Sequence, residues 1–162
     1  MRPSKPVSAS RSIISLQMLP SDANPMGNVH GGTILELLDV SAAVAAMRHT
    51  RTNVVSASID RMDFYYPIYV GNLLILKASV NFSGRTSVEV GVRIEAEDLK
   101  TGKIVHTGSS YVTYVSLDDE GKPTEVPELV PHTTVEKRRW REAKQRRAQR
   151  LQLLKRQAKN SR

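Results

Sequence analysis

The chain has 162 residues, 40% hydrophobic and 25% charged, which is enough to bury one core of single-domain size. No apolar run reaches the roughly 18 residues of a membrane-spanning helix, no apolar segment follows Met1–Ser10 as a signal peptide requires, and the absence of cysteine excludes disulfides, thiolate nucleophiles and cysteine-based metal sites. The net charge of +8 divides unevenly, because residues 136–162 hold twelve Lys/Arg against only Glu136 and Glu142, so the basicity belongs to the tail and says nothing of what the body binds.

In chain order, residues 1–10 read as a disordered lead-in, 11–130 as one globular domain and 131–162 as a basic helical extension. Ser12–Leu19 is expected to form a first strand, with Ile14, Leu16 and Met18 on one face. A loop punctuated by Asn24-Pro25 and Gly27 then runs through His30-Gly31-Gly32 into a segment that is apolar almost continuously from Ile34 to Met47, a helix that belongs inside the protein. Asp39 lies within it, and a carboxylate there is costly unless paired, hydrogen-bonded or used.

Beyond Thr50 the period changes from helical to two. Thr52–Phe64 is strand-like; Leu74, Leu76, Ala78, Val80 and Phe82 share a face; so do Val88, Val90, Val92, Ile94 and Ala96; and Tyr111, Thr113 and Val115 alternate in a further strand. Ser83-Gly84-Arg85 and Lys100-Thr101-Gly102-Lys103 are short enough to be hairpin turns. One early buried helix followed by a meander with one apolar face implies a sheet wrapped around that helix. Val126–Pro131 reads as extended. Thr133-x-x-Glu136 has capping-box spacing and opens a long basic helix to about Lys159, with a thin apolar stripe of Trp140, Ala143, Leu151, Leu154 and Ala158.

The ordered set Asn24-x-x-Gly27-x-x-His30-Gly31-Gly32, Asp39, Ser58-Ile59-Asp60, Phe64-x-x-Pro67-x-x-x-Gly71-Asn72 and Ser83-Gly84-Arg85-Thr86-Ser87 resembles the hotdog-fold acyl-CoA thioesterases of the cytosolic long-chain acyl-CoA hydrolase type, over roughly Leu16 to Glu142. The resemblance implies an α+β hotdog fold: a long central helix wrapped by a five- to six-stranded antiparallel sheet, with the basic helix added. It also implies a cytoplasmic homo-oligomer, in which a dimer with a continuous sheet is the catalytic unit and three dimers form a hexamer. The implied reaction is hydrolysis of fatty acyl-CoA to free acid and CoA. It needs no metal and no cofactor, CoA being part of substrate and product.

Within that resemblance Asp39 is the general base, or less often the nucleophile; its structural alternative is a carboxylate pairing at a subunit interface. Asn24 of the opposite subunit holds the water or the thioester carbonyl, although Asn before Pro is also an ordinary turn residue. The Gly32 amide, at a helix N-terminus, is a natural oxyanion donor. Gly32 and Asp39 are seven residues apart, hence on one face and about 10 Å apart along the axis. His30 either polarises the carbonyl or makes a structural hydrogen bond. The turn Gly84, Arg85, Thr86 and Ser87 lies near the CoA moiety in the family, where an Arg flanked by two hydroxyls suits phosphate, and is otherwise a plain hairpin. Arg61 and Asp63 are candidates for the groove, while Asp60 and Asp63 suit structural ion pairs. His49, His106 and His132 lack metal-ligand spacing.

The tail is expected to pack on a neighbouring subunit through Trp140 and the leucines, with attraction to polyanions second and a specific nucleic-acid element last. Two other functions compete. One is a non-catalytic acyl-CoA sensor with the basic tail as its output, which would not require Asp39; the other is a hotdog dehydratase, which would call for a differently placed histidine.

Overall fold

The computed structural model describes residues 2–160; Met1, Ser161 and Arg162 lie outside the described residues. A helix, α1 (Gly31–Thr50), lies against a five-stranded antiparallel sheet of β2 (Ser12–Gln17), β3 (Asn53–Phe64), β4 (Leu73–Ser83), β5 (Ser87–Asp98) and β6 (Lys103–Leu117), ordered β2-β4-β5-β6-β3. The inner face presents Leu74, Leu76, Val80, Val88, Val90, Val92, Ile94 and Val112 to Ile34, Leu38, Ala42, Ala45 and Ala46 of α1. The small residues of α1 let the helix lie close to the sheet, and large apolar side chains from the strands fill the space between them. α1 remains open on another side, where Val40 and Met47, seven residues apart and so on one face, are exposed.

Residues expected to form a disordered lead-in are ordered. β1 (Ser4–Pro6) pairs in parallel with β7 (Glu128–Val130), and Val7 and Ser10 in the following 3₁₀ turn are buried. The Ser10 hydroxyl donates to the Val7 carbonyl at 2.7 Å and accepts from the Val80 amide at 2.9 Å. Two short segments far apart in sequence, β1 and β7, thus satisfy each other's backbone, and no local periodicity reports such a pairing.

The strand faces also differ from the alternation in two places. A bulge between Val80 and Phe82 turns Phe82 to the outer face, where its ring lies 5.7 Å from that of Trp140. In β6 the core-facing residues are Ser110, Val112, Tyr114 and Ser116, so Tyr111, Thr113 and Val115 line the outer face.

That outer face carries α2 (Thr134–Asn160). Its start is a capping box as expected: the Glu136 amide donates to the Thr133 hydroxyl at 3.2 Å, and the Thr133 amide donates to Glu136 Oε2 at 3.1 Å. Its first half docks on the chain's own sheet rather than on a neighbour, through Trp140, buried Ala143, the Arg146–Glu89 ion pair at 2.7 Å and the Arg150–Asp60 ion pair at 2.7 Å. The Arg146 guanidinium also stacks 3.6 Å from the Tyr111 ring centroid.

Candidate active site

The loop before α1 is a tightly tied turn. The Asn24 amide donates to the Asn28 carbonyl at 2.7 Å and the His30 amide to the Asp22 carbonyl at 2.7 Å, while Gly27 supplies the left-handed φ of +83° that the reversal needs. Asn24 Oδ1 accepts from the amides of Met26 (2.9 Å) and Asn28 (3.2 Å). Its carbonyl is therefore spent on the turn, and its Nδ2 donors make no hydrogen bond among the described residues. Asn24 faces a cavity of about 270 Å³ shared with Gly31, Ile34, Phe64, Tyr66 and Ile68, an apolar lining with a few polar groups of the kind that suits an organic ligand.

His30 caps α1: its Nδ1 accepts from the Gly32 amide at 3.4 Å, a long and weak bond. The structural role is thus present in the single chain, and the Gly32 amide at the positive end of the helix is held loosely enough for a better acceptor to displace the imidazole.

Asp39 does not line that cavity. It sits about two turns further along α1, half-buried, where the Tyr114 hydroxyl donates to it, 2.7 Å from Oδ1 and 2.9 Å from the main-chain carbonyl oxygen. Burial, followed by the hydrogen bond and charge of Asp39, pushes the Tyr114 phenol well above its ordinary pKa, so it stays a donor throughout the neutral range. Oδ1 is thereby fixed, and Oδ2 makes no hydrogen bond among the described residues. A carboxylate clamped at one oxygen and free at the other can accept a proton from a bound water.

Directly across the β3–β6 ladder from Tyr114 lies Ser56, next to an irregularity in β3 between Ser56 and Ser58. Neither Tyr114 nor Ser56 stands out in the sequence. Tyr114 belongs to the face opposite the alternating set Tyr111, Thr113 and Val115, and Ser56 is one serine in a run containing two. The available signal was a large aromatic with a polar tip on the face shared with the helix.

The turn Gly84–Ser87 adjoins the Tyr114 end of this cluster in the register, Val88 pairing with Tyr114, but within one chain it is not brought to the Asn24 cavity. Ser87 pairs with Val115, whereas Ile94, seven residues on, pairs with Gly108, itself opposite Phe64 at the N-terminal end of α1. At about 3.3 Å per residue the turn lies roughly 23 Å along the sheet from that end. Arg85 is exposed and has no side-chain partner among the described residues. The backbone of the turn is tied by Gly84 N–H to the Ser87 carbonyl and by Val126 N–H to the Arg85 carbonyl.

Asp63 pairs with Arg61 at 2.7 Å, and Asp60 with Arg150, as ion pairs. His49 is fully buried, with Nε2 3.0 Å from the Pro127 carbonyl. His106 Nε2 lies 2.8 Å from the Gly108 carbonyl and 2.9 Å from the Ser109 hydroxyl. Among the described residues no three His, Asp or Glu side chains converge so as to hold a metal ion, and no helix is long and apolar enough to cross a membrane.

A long helix wrapped by a five-stranded antiparallel sheet, with a glycine-rich loop capping the helix and a carboxylate on it, defines the hotdog class. Residues 26–103 match the Thioesterase superfamily. Protein VdlD of Helicobacter pylori is 44% identical over 85% of this chain and 79% of its own length. A solved apo-hexameric acyl-CoA thioesterase is 41% identical, with a TM-score of 0.91 over 94% of this chain and 97% of that one. An acyl-CoA hydrolase of Staphylococcus aureus, solved with butyryl coenzyme A, coenzyme A and coenzyme A disulfide, is 38% identical with a TM-score of 0.89 over 98% and 96% of the two chains. That hydrolase has also been solved with alanine in place of an aspartate, an asparagine or a threonine. The asparagine and aspartate are spaced there as Asn24 and Asp39 are here, and the threonine falls, by the same count, at Ser56. The chain belongs to the hotdog-fold thioesterase superfamily.

Proposed function

We propose that this protein is an acyl-CoA thioesterase, hydrolysing fatty acyl-CoA to free acid and CoA at a site assembled from two copies of the chain. The observation that carries the catalytic reading is Asp39, clamped at Oδ1 by Tyr114 with Oδ2 unbonded among the described residues. Oδ2 takes a proton from water as the water oxygen adds to the thioester carbonyl carbon. The resulting oxyanion is stabilised by the Gly32 amide, which exchanges its weak bond to His30 for a charged acceptor, and by Asn24 Nδ2 of the other copy. The carbon–sulfur bond then breaks, and the proton held by Asp39 passes to the departing CoA thiolate. His30, released from its cap on the Gly32 amide, lies within reach of the carbonyl.

Two features support a two-chain site. Asn24 and Asp39 of one chain lie apart, one in the cavity before α1 and the other two turns along it. Val40 and Met47, on the same helix as Asp39, are exposed and want covering. The dimer is then the catalytic unit; the apo relative is named a hexamer, and three such dimers would build one. In such an assembly the Gly84–Ser87 turn of a neighbour reaches the CoA end of the substrate, where Arg85, exposed and unpaired, suits phosphate. Ser56, beside Tyr114, supplies a hydroxyl to the same water or carbonyl.

Retention of a base argues for hydrolysis over the acyl-CoA sensor, since binding alone does not need one. The test is free-thiol release from acyl-CoAs of increasing chain length by the wild type and by Asp39→Ala. Turnover by the wild type and a loss of roughly a hundredfold or more in the variant are expected. Tight acyl-CoA binding with no thiol release by the wild type would establish the sensor instead.

A further inference from the structure

The register of the sheet places Phe82 of β4, Glu89 of β5 and Thr113 of β6 in one row across the strands, ending at Ser58 of the edge strand β3. α2 runs along that row. Trp140 lies on Phe82, Arg146 on Glu89 and Tyr111, and Arg150 on Asp60. From Trp140 to Arg150 a helix advances about 15 Å, and three strand spacings from β4 to β3 amount to about 14 Å. The helix therefore crosses the sheet at right angles and reaches its edge at Arg150.

Past Arg150 the helix overhangs the sheet. Every residue from Leu151 to Ala158 is exposed, including Leu151 at 42%, Leu153 at 57% and Leu154 at 54%. The stripe that seats α2, Ala143, Arg147 and Arg150, continues at helical spacing as Leu154 and Ala158. A face that is anchored as far as the edge of the sheet goes on, apolar, past that edge. β3 itself ends the sheet with a free edge and with Val55 and Ile59 half exposed.

We propose that residues 151–160 form a strap lying on the outer sheet face of a second copy of this chain, alongside that copy's own α2 and added edge to edge at β3, with Leu154 as its principal contact. This rests on the two-chain reading above. The overhang of about 15 Å matches the width of the next three strands, which only another sheet joined at β3 would place beneath it. A two-fold axis between the β3 strands makes the contact reciprocal, each copy strapping the other. The acidic groups that α2 meets on its own sheet, Glu89 and Asp60, are already paired to Arg146 and Arg150. The strap is therefore held by its leucines, and Lys155 and Arg156 stay solvated.

The test compares the full chain with a chain ending at Arg150 and with Leu154→Lys, by sedimentation velocity over a range of concentrations. Trp140 emission serves as a monitor, since it lies before the cut and reports whether the anchored half of α2 stays docked. Both variants should assemble at least tenfold more weakly with unchanged Trp140 emission, because burying one leucine is worth about a decade in an equilibrium constant. In the full-length assembly, amides 151–158 should be protected from hydrogen exchange and lose that protection on dilution. Wild-type assembly in both variants, together with unprotected exchange in 151–158, would overturn the strap. Intact assembly with loss of salt-dependent binding to phosphatidylglycerol vesicles or to single-stranded RNA would give the strap a polyanionic occupant instead and overturn the proposal. A full-length chain monomeric at all concentrations would refute the two-chain reading itself, a result distinct from either.

Discussion

A single hydroxyl decides how Asp39 presents itself. Tyr114 is buried to 2% exposure and among the described residues its hydroxyl donates to Asp39 alone, so the two groups fix each other. Tyr114→Phe should keep the fold and the affinity for substrate while lowering kcat about tenfold or more, as expected when a base loses the partner that aims it. An unchanged kcat in steady-state thiol release would show that packing alone orients the carboxylate. Arg85 permits a cleaner separation. Arg85→Ala should raise KM for acyl-CoA and leave hydrolysis of a short thioester without the nucleotide nearly unchanged; equal damage to both would make it a structural turn residue.

At this scale the sequence was legible where a residue contradicted its surroundings. Asp39 in an apolar helix and glycines at a helix start both announce themselves. Tyr114 and Ser56 did not, because only the strand register sets Ser56 opposite Tyr114, whose hydroxyl meets Asp39, and register is not a local property.

Among the elements, α2 shows how a local signal can be right while its tertiary placement is not. The capping box fixed the helix start, and Thr133 and Glu136 bond as their spacing implies. The expectation that Trp140 would reach a neighbour fails because one bulge in β4 rotates Phe82 to the outer face, creating an aromatic seat on the chain's own sheet. Glu136 does more than cap, since its Oε1 accepts from Arg11 at 3.0 Å and ties α2 to the start of β2. Burial would raise its pKa, but the amides of Thr133 and His132 and the Arg11 guanidinium reverse this and hold the carboxyl below its ordinary range.

A carboxylate with a lowered folded-state pKa contributes stability that is full above its unfolded pKa, and that is lost as pH falls through the folded value. Glu136→Gln should therefore lower the melting temperature at neutral pH, by the equivalent of about 1 kcal/mol for a helix cap. The difference from wild type should shrink as pH drops below about 4, where the wild-type carboxyl also protonates. A difference that stays constant from neutral to acid pH in thermal scans would show that shape rather than charge matters there.

For the whole molecule, the change of period from helical to two was enough to read a helix wrapped by a meander, because one apolar face per strand leaves few alternatives. The pairing of β1 with β7 was not readable, since neither segment is long or periodic. Nor does a single chain complete the proposed site. Asn24 and its apolar cavity, the Asp39–Tyr114 pair and the Arg85 turn occupy three stations along the sheet, and Val40, Met47, Val55 and Ile59 are exposed apolar residues on α1 and the edge strand, as the proposed two-chain site requires.

The central claim, that catalysis needs Asn24 from one chain and Asp39 from another, is tested most directly by mixing Asn24→Ala with Asp39→Ala after subunit exchange and measuring thiol release from acyl-CoA. Each variant alone should be nearly inactive, and the mixture should regain a substantial share of wild-type activity, because some sites then receive both intact residues. Mixed assemblies demonstrated by mass spectrometry but without recovered activity would contradict the account and place both residues in one chain's site.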